Sequence, residues 1–321
     1  MTWVPSVSNG GRIALSRFNF VIHLWEVELD PESGRSVGPP SQITENASPK
    51  YSFSLSRDGD RLVYSTYAGS RGAPRSEIRF QDRASGKKSV PVTLPSASVS
   101  LHPRLSADGS LLSWHSWADG ERIAWVAPIE DPIGRELCQG CTVVDFFEDG
   151  GHVLVDWGRY LTRIRVTDGS ETPILEMEEG GALLDTDLSR DGIWVAIQAG
   201  EPGGSVAVYA VPVRTPPAGP EDWIKIAGDK FWVGAPRWSV NGNILYYISE
   251  KDDFMCVWGQ PLDPVTKAPI DDPFSVAHAH TSSMRMTTVR RSMWTLDVGG
   301  DRLVFNASEV TGDVYTAMLE E

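Results

Sequence analysis

The stretch Ser56-Arg57-Asp58-Gly59-Asp60-Arg61-Leu62-Val63-Tyr64-Ser65 sets a polar turn directly before an apolar strand, and the same phrase returns along the chain. Further copies of the turn read Ser8-Asn9-Gly10, Ser106-Ala107-Asp108-Gly109, Glu148-Asp149-Gly150, Ser189-Arg190-Asp191-Gly192, Ser239-Val240-Asn241-Gly242 and Gly299-Gly300. Their spacing, roughly 40–58 residues, is that of propeller blades. Asp-Gly and Asn-Gly favour a tight type I′ hairpin, whose two central residues both need positive φ. After each turn come β-branched and aromatic runs such as Leu111-Leu112-Ser113-Trp114 and Ile244-Leu245-Tyr246-Tyr247-Ile248. A third strand follows, for example His23-Leu24-Trp25-Glu26-Val27, Arg122-Ile123-Ala124-Trp125-Val126 and Val314-Tyr315-Thr316-Ala317. Alternation and residue type mark all of these as strands. One large residue recurs at a single register of the third strand: Trp25, Phe80, Trp125, Ile164, Tyr209, Trp258 and Tyr315. The series reads as packing between adjacent blades, with Trp25, Trp125 and Trp258 equivalent and buried.

Fourth strands are shorter and more polar, as in Ser41-Gln42-Ile43-Thr44 and Trp223-Ile224-Lys225-Ile226. Radial repetition of four-stranded meanders leaves only short, protected sheet edges. The fold class expected is therefore all-β, a β-propeller of seven four-stranded blades, with six as the alternative. The first blade is expected to open with its inner strand near Val4–Ser8. The chain ends too soon after Met318 for a fourth strand, which predicts an incomplete last blade and no N-terminal strand completing it. Residues 1–321 form one domain, and the Pro-rich stretch 212–220 is an insertion between the third and fourth strands of one blade.

Composition supports this and excludes several functions. The 30 Gly, 22 Pro and 12 Trp suit short strands and tight turns. A formal charge of −14 argues against a nucleic-acid partner, which requires a basic stripe, and against an anionic membrane surface. No apolar run approaches the roughly 20 residues of a membrane span. The first residues carry no charged segment followed by an apolar one, so no signal peptide is expected there. That leaves a cytosolic protein or a piece of a longer chain. Three cysteines are too few for a disulfide framework.

The Ser-x-Asp-Gly turn, the apolar strand after it and the Ile/Val-Trp third strand resemble the TolB-type WD40-like (PD40) repeat. In the C-terminal third, Glu221-Asp222-Trp223-Ile224, Pro236-Arg237-Trp238-Ser239-Val240-Asn241-Gly242, Leu262-Asp263-Pro264 and Asp301-Arg302-Leu303-Val304-Phe305-Asn306 resemble the sensor propellers at the C-termini of bacterial serine/threonine kinases and transcriptional regulators. The resemblance covers nearly the whole chain and implies a periplasmic or cell-surface binding domain attached to a signalling module. It also implies that Cys138-Gln139-Gly140-Cys141 ends a fourth strand, as a local disulfide or an inert thiol pair. Glu148 and Gly299-Gly300 depart from the repeat. There is no kinase signature, so kinase activity is not carried over.

Catalytic motifs are not apparent. A Gly-x-Ser-x-Gly nucleophile elbow is missing, and the single Cys-x-x-Cys lacks the second pair that a closed zinc site needs. Cys256 is too far from Cys138 and Cys141 in sequence to complete such a site, and His278-Ala279-His280 places two imidazoles on one strand face, half of a metal site, with no third ligand evident. Asp185, Asp187 and Asp191 imitate part of a calcium loop without its closing Glu. Neither a cofactor nor a metal is expected. Loops joining second to third and fourth to first strands share one face, where Tyr67, Arg71, Trp117, Trp157, Arg159, Tyr160, Phe231, Trp232, Phe254 and Arg285 fall. Trp, Tyr and Arg dominate binding hot spots, so this face is expected to bind a protein or a small molecule. His102, Arg104, Asp185 and Arg237 are placed at the channel. The leading reading is a non-catalytic binding propeller serving as sensor or scaffold. A propeller enzyme of lactonase, glycosidase or lyase type, with its site in the channel, is the alternative, though no carboxylate pair is recognisable. A structural oligomerisation module is a third.

Overall fold

The structure, a computed structural model, describes all residues except 1, 8–11, 46–47, 69–74, 96–100, 119, 202–203, 282–283, 287–294 and 319–321. Five blades follow one another along the chain, each a four-stranded antiparallel meander. Blade 1 is β4 (Lys50–Leu55), β5 (Arg61–Ala68), β6 (Arg75–Asp82) and β7 (Lys88–Pro95). Blade 2 is β8 (Leu101–Leu105), β9 (Leu111–Ala118), β10 (Glu121–Pro128) and β11 (Arg135–Gln139). Blade 3 is β12 (Thr142–Phe146), β13 (His152–Asp156), β14 (Tyr160–Arg165) and β15 (Glu171–Glu176). Blade 4 is β16 (Ala182–Leu188), β17 (Trp194–Gly200), β18 (Val206–Pro212) and β19 (Ile224–Ala227), with a single 3-10 turn at Pro220–Asp222 between its last two strands. Blade 5 is β20 (Val233–Trp238), β21 (Ile244–Ser249), β22 (Cys256–Pro261) and β23 (Phe274–His278).

Both ends of the chain build blade 6. Its inner strands are β24 (Leu296–Gly299) and β25 (Arg302–Met318), and its outer strands are β2 (Arg12–Glu28) and β3 (Ser41–Gln42). The propeller therefore has six blades, not seven, because the first and last sequence units are halves of one sheet. The last blade is complete, and the N-terminal closure judged absent from the sequence is the one the protein uses. Residues near Val4 do not form an inner strand. They lie in β1 (Thr2–Val7), which pairs with the start of β2, and Asn9-Gly10 falls outside the described residues. Val314–Ala317 is not a third strand either: it is the outer end of β25, paired with residues 13–16 of β2.

Each interface between blades has its own apolar cluster. Val63, Ile78, Phe80, Leu105, Leu112 and Trp114 join blades 1 and 2, and Leu24, Phe53, Leu55, Leu62 and Val304 join blade 6 to blade 1. Trp258 is buried between blades 4 and 5. Trp25 and Trp125 also pack at interfaces but are only half-buried. Tyr315 is 46% exposed and packs between no blades, because its strand has left the propeller there.

The repeated turn also differs from its expected geometry. Gly59 has φ of 79° while Asp58 does not enter the left-handed region. The Gly59 N–H donates to Ser56 O at 2.9 Å, so this is a type I turn closed by a left-handed glycine. Ser56 Oγ accepts the Arg61 N–H at 2.9 Å and donates to Asp58 Oδ1 at 2.5 Å. The same arrangement holds at Ser106/Asp108, Ser189/Asp191 and Ser239/Asn241. In blade 3 Phe147 occupies the serine position, and its backbone makes the equivalent bonds to Gly150 and His152. The departure at Glu148 thus leaves the blade intact.

Closure yields a stability prediction. Leu24 is fully buried at the junction of blades 6 and 1, so Leu24→Ala should cost about 2–5 kcal/mol in denaturant unfolding of the whole chain. Ile133→Ala, at an 80% exposed position, should stay within about 0.5 kcal/mol of the parent. A Leu24→Ala loss as small as that of Ile133→Ala would mean that the N-terminal strand does not close the ring.

Candidate functional site

Counting back two residues from the first residue of each turn gives the same position on every inner strand. Around the ring it is occupied by Ser54, Arg104, Asp145, Asp187, Arg237 and Asp297, and all six line one central cavity of about 80 Å³. The volume holds a few waters or a small ion. Three carboxylates and two guanidiniums meet there, so the sequence reading that recognised no carboxylate pair was wrong.

Most of this ring fastens each blade to the next. Asp297 accepts the Leu55 N–H at 2.8 Å, Ser54 accepts the Leu105 N–H at 3.3 Å, and Asp187 accepts the Trp238 N–H at 2.8 Å. The arginines do the reverse: Arg104 Nε donates to Val144 O and Arg237 Nε to Leu296 O, both at 2.7 Å. Arg237, only 3% exposed, also donates to both oxygens of Asp185 at 3.2 and 3.4 Å. Asp145 differs, since the N–H it accepts at 2.7 Å comes from Phe146 on its own strand. Burial, reinforced by Asp187 and Asp297, holds the Asp145 carboxyl well above the usual carboxylate range. Burial raises Asp187 to about 7 against the pull of Arg237.

The two mouths of the channel differ. On the Asp-Gly side Arg190 donates to Arg57 O at 2.8 Å and to Val298 O at 3.2 Å, and Arg57 pairs with Glu148. These contacts tie the turns of blades 1, 3, 4 and 6 across the axis. Further along the channel, the rings of His102 and His115 lie 5.1 Å apart. Burial first, then neighbouring charges, lower their pKa values to about 3 and about 2, so both are neutral. Asp156, at the end of β13, is pushed by burial up to about 6.

The loop face carries the predicted aromatics in varied states. Trp117, Tyr160, Phe231 and Phe254 are 41–47% exposed. Trp157 is half-buried, stacks on Tyr160 with centroids 5.8 Å apart and donates its indole N–H to Thr162 at 2.9 Å. Trp232 is half-buried against the core of blades 5 and 6. Arg159 donates to Met177 O and Arg285 to Thr281 O, each at 3.1 Å, which spends part of each guanidinium on the local backbone. Arg71 and the Tyr67 side chain lie outside the described part. Among the described residues the structure does not gather these into a single pocket: a shallow depression at Trp117 is bordered by Glu121, Arg122 and Gln139. Trp157, Arg159, Tyr160, Phe231, Trp232 and Phe254 follow around blades 3 to 5, and Arg285 bridges to Ser308 of blade 6.

Two cysteine and histidine expectations are also settled in space. Cys138 and Cys141 are joined in a disulfide at the end of the fourth strand of blade 2. His278 and His280 do have company, because the β22–β23 register sets Cys256 directly opposite His278 and the β21–β22 loop brings Asp252 to the same spot. The sequence separation of 22 residues had hidden this.

No family model matches the sequence, and no curated protein is significantly similar to it. Similarity appears among solved structures. TolB from Acinetobacter baumannii superposes with a TM-score of 0.59 at 13% identity, over 91% of this chain and 66% of that one. The putative TolB from Agrobacterium tumefaciens gives 0.60 at 14%, over 90% and 99%. An oligogalacturonate lyase in complex with manganese gives 0.56 at 12%, over 96% of each chain. The chain thus has the TolB-type β-propeller fold. Identities this low carry the fold and nothing more.

The buried carboxyls make a pH prediction. A carboxyl with a raised pKa keeps its proton where the unfolded chain has lost it, so its own contribution to stability falls as pH rises from about 4, through about 7 for Asp187. His102 and His115, held neutral, contribute in the opposite sense below about 6.5, so the carboxyl effect is read as a difference between parent and variant. Asp145→Asn keeps the acceptor for Phe146 and removes one buried charge. It should exceed the parent at pH 8 by on the order of 1 kcal/mol and match it near pH 4. Denaturant titrations across this range check the slope. A variant that is no more stable than the parent at pH 8 would show that the arginines hold the Asp145 carboxylate ionised.

Proposed function

We propose that this chain is a non-catalytic binding propeller that takes a protein partner on its loop face, as the sensing or scaffolding part of a larger signalling protein. The observation that carries this reading is the continuation of β2 and β25 beyond the blade. Residues 12–20 stay paired with 310–318, and β1 pairs alongside, which makes a three-stranded arm about 30 Å long at roughly 3.4 Å per residue. Residues 311–317 are all exposed, with Val314 at 69% and its neighbour Tyr315 at 46%. Successive strand residues point to opposite faces, so both faces of the arm present apolar surface. Exposed apolar surface on a small projecting sheet marks an interaction site.

The arm rises from the side that carries Trp117, Trp157, Tyr160, Phe231 and Phe254, because second-to-third-strand connections leave the blades there. The channel is the less suitable site, since five of its six ring positions already bond to the next blade. The Cys138–Cys141 disulfide supports an oxidising compartment for this domain. The channel-enzyme reading keeps one specific support, the elevated Asp156 and the neutral His102 and His115, which share Arg122 as a charged neighbour, and it predicts turnover that Asp156→Asn abolishes.

Peptides selected by display on the whole chain provide the test. Their affinity should fall about tenfold or more, roughly 1.4 kcal/mol, in Trp157→Ala and Phe254→Ala, and stay unchanged in Asp58→Lys and Asp108→Lys. Equal sensitivity of the two faces, or loss only on the Asp-Gly side, would contradict the proposal.

A further inference from the structure

Outside the channel, one group of side chains has no role in the fold described so far. Asp252, Cys256, His278 and His280 each offer one donor atom, and these atoms all lie within 4.8 Å of one another. All four come from blade 5, three of them from neighbouring strands or their immediate ends. Cys256 opens β22 and faces His278 across the strand pair. His280 lies two residues beyond His278, with buried Ala279 between, so both imidazoles fall on one side. Asp252 arrives from the loop before β22.

Two of the contacts converge on one ring nitrogen. His278 Nδ1 lies 3.1 Å from Asp252 Oδ2 and 3.5 Å from Cys256 Sγ. Cys256 is not placed as the nucleophile of an Asp–His pair, because acid and nucleophile would engage opposite ring nitrogens and Asp252 and Cys256 meet the same one. The other nitrogen, Nε2, is 3.0 Å from Ser275 Oγ. Cys256 is also fully buried, out of reach of a substrate. Asp252 Oδ1 is buried and has no hydrogen-bond partner among the described residues. Four electron-pair donors gathered within 4.8 Å of one another, one of them on a carboxylate with an unsatisfied oxygen, are better matched by a cation than by each other.

We infer that Asp252, Cys256, His278 and His280 form a binding site for a divalent cation with affinity for sulfur, and that zinc is the ion whose chemistry fits. One thiolate, two imidazoles and one carboxylate make a four-membered N/S/O set of the kind that closes tetrahedrally around zinc. The thiolate disfavours magnesium, calcium and manganese, which take oxygen-rich sets. On binding, Cys256 releases its proton to solvent, and sulfur, nitrogen and oxygen lone pairs fill the metal's coordination positions. Ser275 takes the part of an outer partner, holding His278 so that Nδ1 is presented. The ring of Phe254 stacks on His280 at 4.5 Å, so the metal would fix one of the exposed aromatics of the loop face. The site does not depend on the identity of any partner bound there.

The test uses the whole chain, kept free of reductant. Of its three cysteines, two are in the disulfide, so Cys256 is the single thiol. Equilibrium dialysis against zinc should give one equivalent per chain. Cys256→Ser and His280→Ala should each weaken binding by well over about tenfold, and Ser275→Ala by about tenfold, the lower end of what loss of an outer partner costs. Cobalt substituted for zinc should show the intense visible bands of a tetrahedral ion and a near-ultraviolet thiolate charge-transfer band that vanishes in Cys256→Ser. His280 is exposed, so its alanine variant keeps the test informative if the Cys256 variant misfolds; circular dichroism checks both. Zinc held no more tightly by the parent than by His280→Ala, or a cobalt spectrum without the thiolate band, would overturn the assignment.

Discussion

The pairing of β2 with β25 is the constraint on which the rest of the molecule depends. It joins residues at the two ends of the sequence through a 17-residue register from Arg12↔Met318 to Glu28↔Arg302. Without it, blade 6 is only β24 and half of β25, and two of the six apolar clusters lose one wall. The turns confirm how closely the first and last repeats meet: a Cβ at Gly59 would stand 2.5 Å from Gly299 O, so only glycine fits there. Asp297 then reaches the Leu55 N–H across the same junction. Loop closure over nearly the whole chain costs conformational entropy that grows only slowly with length, and a long antiparallel ladder with a buried flank is well suited to offset it.

A closed ring of six inner strands brings six side chains to one axis, and their chemistry is decided by what the axis lacks, which is solvent. Each inner strand has backbone groups facing a neighbouring blade to which it is not paired by a ladder. Buried N–H and C=O groups left unmade are costly. Carboxylates and a hydroxyl accept the N–H groups, and arginines long enough to cross donate to the carbonyls. The result is a charged channel whose polarity is largely structural. Asp145 is the ring position with no bond to the next blade among the described residues, and burial holds its carboxyl, like that of Asp187, above the usual range. The surfaces that the ring does not use are the loop face, the arm and the cluster at Cys256.

Much of the architecture could be read from the sequence because its signals are local. The Ser-x-Asp-Gly turns, the strands after them and the interface aromatics Phe80 and Trp258 each declare themselves within a few residues. Closure did not, since it is a contact between ends, and yet a second local signal pointed to it. Asp30-Pro-Glu-Ser33-Gly34 matches Asp82-Arg-Ala-Ser85-Gly86, and in both the aspartate accepts the serine N–H at 2.7–2.8 Å in a third-to-fourth-strand hairpin. Residues 23–42 are therefore the outer half of a blade. The channel ring was equally countable, two residues before each turn, but a charged position reads as surface until the strand is known to face an axis. The group at Cys256 could not be found this way, because it exists only once the β22–β23 register is fixed.

Hydrogen exchange resolved along the chain tests the closed six-bladed ring most directly. Amides of residues 22–28 and 303–307 should exchange only with the slow global opening that releases buried residues 195–199 in blade 4, because the closing ladder and the remaining blades form one cooperative unit. Early exchange of the closing strands while blade 4 remains protected would contradict the account, since it would mean that the ring opens at a seam and that the closing pairing is not what holds it together.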